Sequence, residues 1–155
     1  ASIPDVKGTG LLWTGVSIAA QPMPNSDCEF GRIQAIYFRS GEMAWTIREV
    51  LPPASATLST GGGLVFVGTL DNRFVAFDET NGDILWENDL GDIPNSFPIS
   101  YAVDGKQYVA VVVGQPSPFH ASIWMGMVNE FLGDSSPLLG HTRSGPAIVV
   151  YALDD

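Results

Sequence analysis

Cysteine, positive charge and long apolar runs are all scarce in this chain of 155 residues. The single cysteine, Cys28, excludes an internal disulfide and a cysteine-rich zinc site. Seven Lys and Arg residues stand against 17 Asp and Glu residues, and the net charge of -10 argues against binding to the phosphates of nucleic acids. The most apolar run, residues 108–113, is too short to cross a bilayer. No amphipathic helical pattern occurs before residue 120, so a β-rich domain is expected.

The chain does contain an internal repeat built on alanine, glycine and tryptophan. The pattern occurs at Ala35, Gly41 and Trp45, and again 41 residues later at Ala76, Gly82 and Trp86. A period of about 40–50 residues made of short strands is typical of β-propeller blades. Each glycine allows a tight turn between two strands, and each tryptophan can fill the wedge between neighbouring sheets. The repeat therefore predicts stacked blades.

Short runs with strand propensity, bounded by Gly, Pro, Asn or Asp, fill most of the chain. The predicted strands are 11–19, 33–38, 43–47, 57–60, 64–68, 73–78, 84–87, 99–103, 107–113 and 147–153. The length holds fewer than four repeats, whereas closed propellers usually have four to eight blades. We therefore predict an all-β fold in which residues 1–155 form about three four-stranded antiparallel blades of a larger propeller. Further sequence, a partner chain or self-association would complete it; a compact β-sandwich is the alternative.

One segment, residues 115–145, departs from the repeat. It separates the second and third predicted strands of the last blade, and its apolar stretch 123–132 is a candidate short helix. Long insertions between blade strands tend to lie at a rim and often carry function. We predict a rim insertion here.

Three further strings carry a family resemblance. LSTGGGLVFVGT at residues 58–69 leads into the second copy of the repeat, GKQYVAV follows at 105–111, and AIVVYAL occupies 147–153. With the two repeats in phase, they resemble the C-terminal part of the pyrroloquinoline-quinone (PQQ) dependent alcohol dehydrogenases. In that family the repeat is the tryptophan-docking motif of an eight-bladed propeller. The resemblance implies a periplasmic enzyme that oxidises alcohols to aldehydes and passes electrons to a cytochrome.

The resemblance also implies cofactors and site residues. The family binds PQQ and calcium, or a lanthanide, near the propeller axis, and its metal ligands and catalytic aspartate lie upstream of the part that this chain resembles. We therefore expect no catalytic residue, metal or cofactor to be held by this chain alone. Gly114 and Gln115 are the predicted cofactor-binding residues, because the family places the corresponding loop near the quinone. The segments 51–56 and 114–119 lack the tryptophans that many family members carry there, so a different pocket floor is expected.

Three other groupings of polar residues have a simpler explanation than a functional site. The only histidines, His120 and His141, would need Glu130 or Asp134 as a third metal ligand and are better explained as loop residues. A triad of Ser144, His141 and Asp134 lacks a recognisable nucleophile elbow. The acidic run 78–83 resembles a calcium loop only superficially and is better explained as a blade turn. The alternative function is a non-catalytic propeller scaffold for protein–protein binding.

Overall fold

The computed structural model describes residues 22–114, 125–139 and 144–152. Its strands are β1 (Gly31–Ile36), β2 (Met43–Glu49), β3 (Leu58–Ser59), β4 (Leu64–Gly68), β5 (Arg73–Asp78), β6 (Ile84–Asp89), β7 (Ile99–Val103), β8 (Lys106–Val113) and β9 (Ala147–Ala152). One helix, α1 (Met125–Leu132), continues into a 3-10 turn at Gly133–Ser135. The predicted strand at 11–19 lies outside these ranges. The remaining predicted strands are all found, with ends that differ by a few residues.

The strands form three antiparallel sheets in chain order. The first contains β1 and β2, the middle one has the order β3-β4-β5-β6, and the third has the order β7-β8-β9. The all-β propeller-blade architecture is thus confirmed, but only the middle sheet has four strands within the described part of the chain. The third sheet pairs strands from both sides of the long segment that the sequence analysis singled out, because Val113 at the end of β8 lies opposite Ala147 at the start of β9.

The repeat of glycine and tryptophan has the same local structure in both copies. Trp45 lies opposite Ala35 in the first sheet, and Trp86 lies opposite Ala76 in the middle sheet. In both ladders the register shifts directly after the alanine. The glycine of each turn has a positive φ, 73° at Gly41 and 79° at Gly82. The two tryptophans therefore hold equivalent positions in consecutive blades, as predicted.

Trp45 joins the first sheet to the middle one. Its ring is 9% exposed and lies over the turn of the next blade, where a Cβ built on Gly82 would be 2.9 Å from the ring atom Cδ2. Its indole Nε1–H donates a hydrogen bond to the carbonyl oxygen of Glu79 at 2.9 Å. Glycine is required at position 82 for two reasons. The backbone there is left-handed, and the indole ring of Trp45 occupies the space that a side chain would need.

Trp86 is packed less completely than its counterpart. Its ring makes an edge contact with Tyr151 of the third sheet at 4.9 Å between centroids, and another with Phe74 of its own sheet at 6.3 Å. It remains 38% exposed, so it fills the space between the sheets only in part. Beside it lies an open apolar recess of about 270 Å³, lined by Leu64, Phe66, Ala76, Trp86, Tyr151 and Ala152.

Apolar side chains fill both spaces between sheets. Between the first and middle sheets the buried residues are Ile33, Trp45, Val67, Val75 and Phe77. Between the middle and third sheets they are Phe66, Phe74, Ala76, Leu90, Val109, Val111 and Val113. Alternation along β4 and β5 sends neighbouring residues to opposite faces, which is why one central strand contributes to both clusters.

An ionic cluster also ties the first sheet to the middle one. Arg73 on β5 contacts Asp71 and Glu49 at 2.9 Å each, and Glu87 at 3.3 Å. Glu49 belongs to β2, whereas the other two carboxylates belong to the middle blade. A guanidinium with several donors in a fixed plane suits this arrangement, because it can bond more than one carboxylate at once.

The strand β1 lies two residues earlier in the chain than the sequence predicted, with the same length. The prediction extended it to Phe38, but β1 ends at Ile36, where the register shift begins the turn. The turn is closed by hydrogen bonds between Tyr37 and residues 41 and 42, and Phe38 at its tip is 99% exposed. The strand propensity of Phe38 is overridden here by the turn that Gly41 allows.

Candidate functional site: the loop at Gly114

Gly114, the first of the two predicted cofactor-binding residues, directly follows β8. Its N–H donates to the carbonyl oxygen of Ile93 at 3.0 Å, and its own carbonyl accepts a hydrogen bond from the side-chain amide of Asn95. Both polar groups of its backbone are therefore engaged with the loop that precedes β7. Gly114 itself is buried. Gln115 lies outside the described residues.

No larger residue fits at position 114. The φ of Gly114 is +82°, in the left-handed region. A Cβ there would be 2.6 Å from the carbonyl carbon of Gly145 and from the Cα of Pro146. At this point the segment that leaves β8 touches the segment that returns to β9. We call this contact, formed by Gly114, Ser144, Gly145 and Pro146, the neck.

The returning side of the neck is held by the same loop that holds Gly114. The N–H of Ser144 donates to the carbonyl oxygen of Gly91 at 3.0 Å. The N–H of Gly145 donates to the Asp92 carboxylate atom Oδ2, also at 3.0 Å. The other carboxylate oxygen of Asp92 accepts from the N–H of Ile93 at 2.8 Å. Asp92 is 1% exposed, and both of its oxygens are therefore used to shape the neck.

Helix α1 packs over the loops at this end of the sheets. Its Val128 is fully buried in a cluster with Leu51, Leu70, Ile93 and, from the segment after the helix, Leu138. Phe131 makes an edge contact with Phe30, with the ring centroids 5.5 Å apart. Leu51 precedes the middle sheet, Leu70 lies in its β4–β5 turn and Ile93 precedes the third sheet. The described part of the apolar stretch, Met125–Leu132, is therefore helical and bridges successive blades.

The loops before β3 and β7 show a continuation of the repeat that the sequence analysis missed. Pro53 and Pro94 each form an isolated bridge to the residue at the end of the second blade strand, Thr69 and Val113. Two serines two residues further on, Ser55 and Ser96, accept hydrogen bonds from backbone N–H groups at 2.7 and 2.9 Å. The two prolines are 41 residues apart, as are the two serines and the two tryptophans, so the signal was present in the sequence.

The remaining sequence candidates are not assembled into a site in the described ranges. His120 and His141 lie outside them, whereas Glu130, Asp134 and Ser144 are exposed. Across residues 22–114, 125–139 and 144–152 there is no group of three or more His, Cys, Asp or Glu side chains that could hold a metal ion. No helix within these ranges is long and apolar enough to span a membrane.

The acidic run 78–83 is a blade turn, as the sequence analysis favoured. The carboxylate of Asp78 accepts from the hydroxyl and the N–H of Thr80, and these bonds lower the pKa of Asp78. Asn81 donates to the Asp83 carboxylate at 2.8 Å and accepts from the Asp83 N–H at 2.9 Å. The polar groups of the turn are thus occupied by the turn itself.

Comparison with known proteins identifies the family. Residues 13–109 match the β-propeller domain of the PQQ glucose/ethanol/alcohol dehydrogenases, which is more than half of the chain. The chain belongs to this PQQ dehydrogenase family. A 1-butanol dehydrogenase (cytochrome c) from Thauera butanivorans is 37% identical over 94% of this chain, and a quinoprotein ethanol dehydrogenase from Pseudomonas aeruginosa is 33% identical over 95% of it.

Solved structures of the same family share the fold. A europium-containing methanol dehydrogenase superposes with a TM-score of 0.64 and 30% identity over 82% of this chain. The chain spans only 21% of the butanol dehydrogenase, 22% of the ethanol dehydrogenase and 24% of the europium-containing structure. The described sheets thus correspond to a part of the propeller in these dehydrogenases.

Proposed function

We propose that this chain contributes blades to a periplasmic PQQ-dependent alcohol dehydrogenase, which oxidises small alcohols to aldehydes and transfers the electrons to a cytochrome. The observation that carries the proposal is the membership of residues 13–109 in the PQQ dehydrogenase family. It is supported by the named relatives, one of which is described as cytochrome c-dependent. In such an enzyme the bound quinone accepts the two electrons and two protons that the alcohol loses.

The role proposed for this chain is structural, with a cofactor contact at Gly114 and Gln115. Gly114 is itself buried, and the backbone of Gly145 and Pro146 fills the space that a side chain would need, so the proposed contact is supported by the family resemblance of this loop. Calcium or a lanthanide would be bound by residues elsewhere in the complete enzyme. We also propose that residues 115–145 form a rim insertion, which the packing of α1 over the loops at one end of the sheets supports.

The third sheet has an exposed face and an open strand edge, and both support the proposal that a partner supplies another blade. In the part of the chain that the structure describes, its face away from the middle sheet is apolar and exposed, with the residues Ile99, Tyr101, Val103, Val112, Ile148 and Val150. Exposed apolar patches of this kind usually mark an interface. Within the described residues, β9 pairs only with β8, so its other edge is also open to a strand. We propose that the remaining propeller covers both.

A ring of identical copies is a poorer solution than a ring completed by different sequence. The outer face of the first sheet presents Arg32 opposite Arg48 and Gln34 opposite Thr46. The exposed apolar residues Ile36 and Met43 share this face. If copies associated head to tail, it would meet the apolar face of the third sheet, and the two arginines would lie against apolar side chains. Burying unpaired charge is strongly unfavourable. We therefore propose that the neighbouring blades differ in sequence from this chain.

The proposal is tested by comparing this chain alone with a complete protein that carries it. Both are titrated with PQQ in the presence of calcium or a lanthanide, and dye reduction is measured with ethanol and 1-butanol. We expect turnover only for the complete protein, and self-association or aggregation of the chain alone in sedimentation experiments. Robust turnover by the chain alone would contradict the fragment interpretation. Absence of PQQ binding and turnover in the complete protein would instead favour the non-catalytic scaffold.

A further inference from the structure

The neck is unusual when it is compared with the equivalent place in the preceding blade. Pro53 bridges Thr69 and Pro94 bridges Val113, so the residue after each bridged strand residue is equivalent: Leu70 in the middle blade and Gly114 in the third. After Leu70 the chain turns at once, and Thr69 and Arg73 are joined by a backbone hydrogen bond of 2.9 Å. After Gly114 it returns only at Gly145 and Pro146. We call each of these places a corner. The middle blade closes its corner with a tight turn, whereas in the third blade the corner is open, because the long segment lies between Gly114 and Gly145.

The loops that face these two corners differ in a corresponding way. Forty-one residues separate Leu51 from Asp92 and Ala54 from Asn95. At the tight turn both positions are apolar and buried. At the open corner the same positions are a buried carboxylate and an amide. The backbone bond at the second position is retained, since the N–H of Ala54 donates to Gly68 at 2.8 Å and that of Asn95 to Val112 at 3.1 Å. The polar side chains are therefore an addition specific to the blade with the insertion.

We infer that Asp92 and Asn95 are positioning residues that fix the two sides of the neck and thereby set the position of Gly114 for the proposed cofactor contact. Asn95 binds the departing side through the carbonyl oxygen of Gly114. Asp92 binds the returning side through the N–H of Gly145. Without them, the backbone groups that they bond would be left without these partners in a buried setting, which is unfavourable. The inference that the oriented loop meets PQQ rests on the proposed function.

Asp92 and Asn95 can each be replaced by a residue that removes the hydrogen bond with little change in shape or backbone, and the chain offers a matched control. Asn95→Ala introduces the residue that the preceding blade carries at this position, so the loop backbone can accept it. Asp92→Asn keeps the shape but replaces one acceptor oxygen by an NH₂ group, which would face a backbone N–H at either Ile93 or Gly145. The control is Asn81→Ala, because Asn81 is exposed in the turn at the other end of the middle sheet.

The experiment uses a complete protein that carries this chain and measures two quantities for each variant. Hydrogen exchange of the amides in α1 and of Ser144 and Gly145 reports whether the neck is held. The dissociation constant and absorption spectrum of added PQQ report whether the loop is oriented. We expect Asn95→Ala and Asp92→Asn to raise the exchange rates and to weaken PQQ binding about tenfold, whereas Asn81→Ala changes neither. The thermal midpoint of the propeller should change much less than PQQ affinity.

Each other outcome has a defined meaning. Unchanged exchange in both variants would overturn the inference, because the neck would be held by other contacts. Faster exchange with unchanged PQQ affinity would overturn the positioning role while leaving the neck as a structural device. If the unaltered protein binds no PQQ, the proposed function and the cofactor part of the inference both fail. The exchange measurements then still decide whether Asp92 and Asn95 hold the neck.

Discussion

Substitution of Gly82 by alanine tests whether the contact between Trp45 and the neighbouring turn holds adjacent blades together. The new Cβ would be 2.9 Å from Cδ2 and 3.0 Å from Cε3 of the indole, closer than such atoms can remain. The ring has little room to move, because it is buried and its Nε1–H is bonded to Glu79. The left-handed backbone at Gly82 adds a strain of about 1–2 kcal/mol for any residue with a Cβ.

Gly41 supplies the matched control. Its φ of +73° is close to the +79° of Gly82, but nothing in the described structure lies within 4 Å of a Cβ built on it. Gly41→Ala should therefore cost only the backbone strain, about 1–2 kcal/mol. Gly82→Ala should cost about 1–3 kcal/mol more, the usual penalty for overpacking. The free energies of unfolding are measured on a complete protein that carries this chain, by urea denaturation followed by far-ultraviolet circular dichroism, with equal m-values as a check on two-state behaviour.

A double-mutant cycle then isolates the contact. In a Trp45→Ala background the ring is gone and only the contact with Ile47 Cδ1 at 3.3 Å remains, so most of the excess cost of Gly82→Ala over Gly41→Ala should disappear. Equal destabilisation by the two glycine substitutions in the unaltered protein would refute the reasoning. So would an excess that persists in full without the indole.

Three further predictions concern the same interfaces. Trp45→Ala should destabilise the protein by about 3–5 kcal/mol and Trp86→Ala by about 2 kcal/mol, because only the first ring is almost fully buried; comparable losses in urea denaturation would contradict this. Arg73→Ala should cost about 1–2 kcal/mol at low salt and less at high salt, since three carboxylates then face one another; a loss that is independent of salt would argue against an ionic role. Burial raises the pKa of Tyr151 above its usual value of 10.0, so the folded state favours the neutral phenol. The stabilisation is therefore complete below that pH and is lost as pH rises above it. Tyr151→Phe should flatten the decline of the urea midpoint above about pH 10. The bond from Asn88 to this phenol is lost as well, so the variant starts from a lower midpoint.

The elements of the fold were predictable because they depend on short stretches of sequence. A strand needs a few β-branched or aromatic residues in alternation, and a tight turn needs Gly41 or Gly82 within it. The spacing from alanine to tryptophan fixes the register of each hairpin, so both copies have the same ladder shift. The same spacing, read together with the strings at 58–69 and 105–111, was sufficient to recognise the family.

The candidate site could be predicted only in part. Gly114 was predicted through the family resemblance, and its cofactor contact stays a prediction. Its positive φ and close backbone contact explain why a glycine stands there. Asp92 and Asn95 were missed, although a comparison with Leu51 and Ala54 at the same 41-residue spacing shows them as polar exceptions to an apolar pattern.

The sequence by itself determined the strands, the turns, the equivalence of Trp45 and Trp86 and the family, because each follows from residues close together in the chain. Only the tertiary structure decided that Trp45 is buried while Trp86 stays 38% exposed, since burial depends on what the next sheet presents. It also decided that the Asp92 carboxylate meets Gly145, 53 residues away. Such contacts are set by the stacking of the blades, and a local pattern contains no information about which distant backbone group will arrive there.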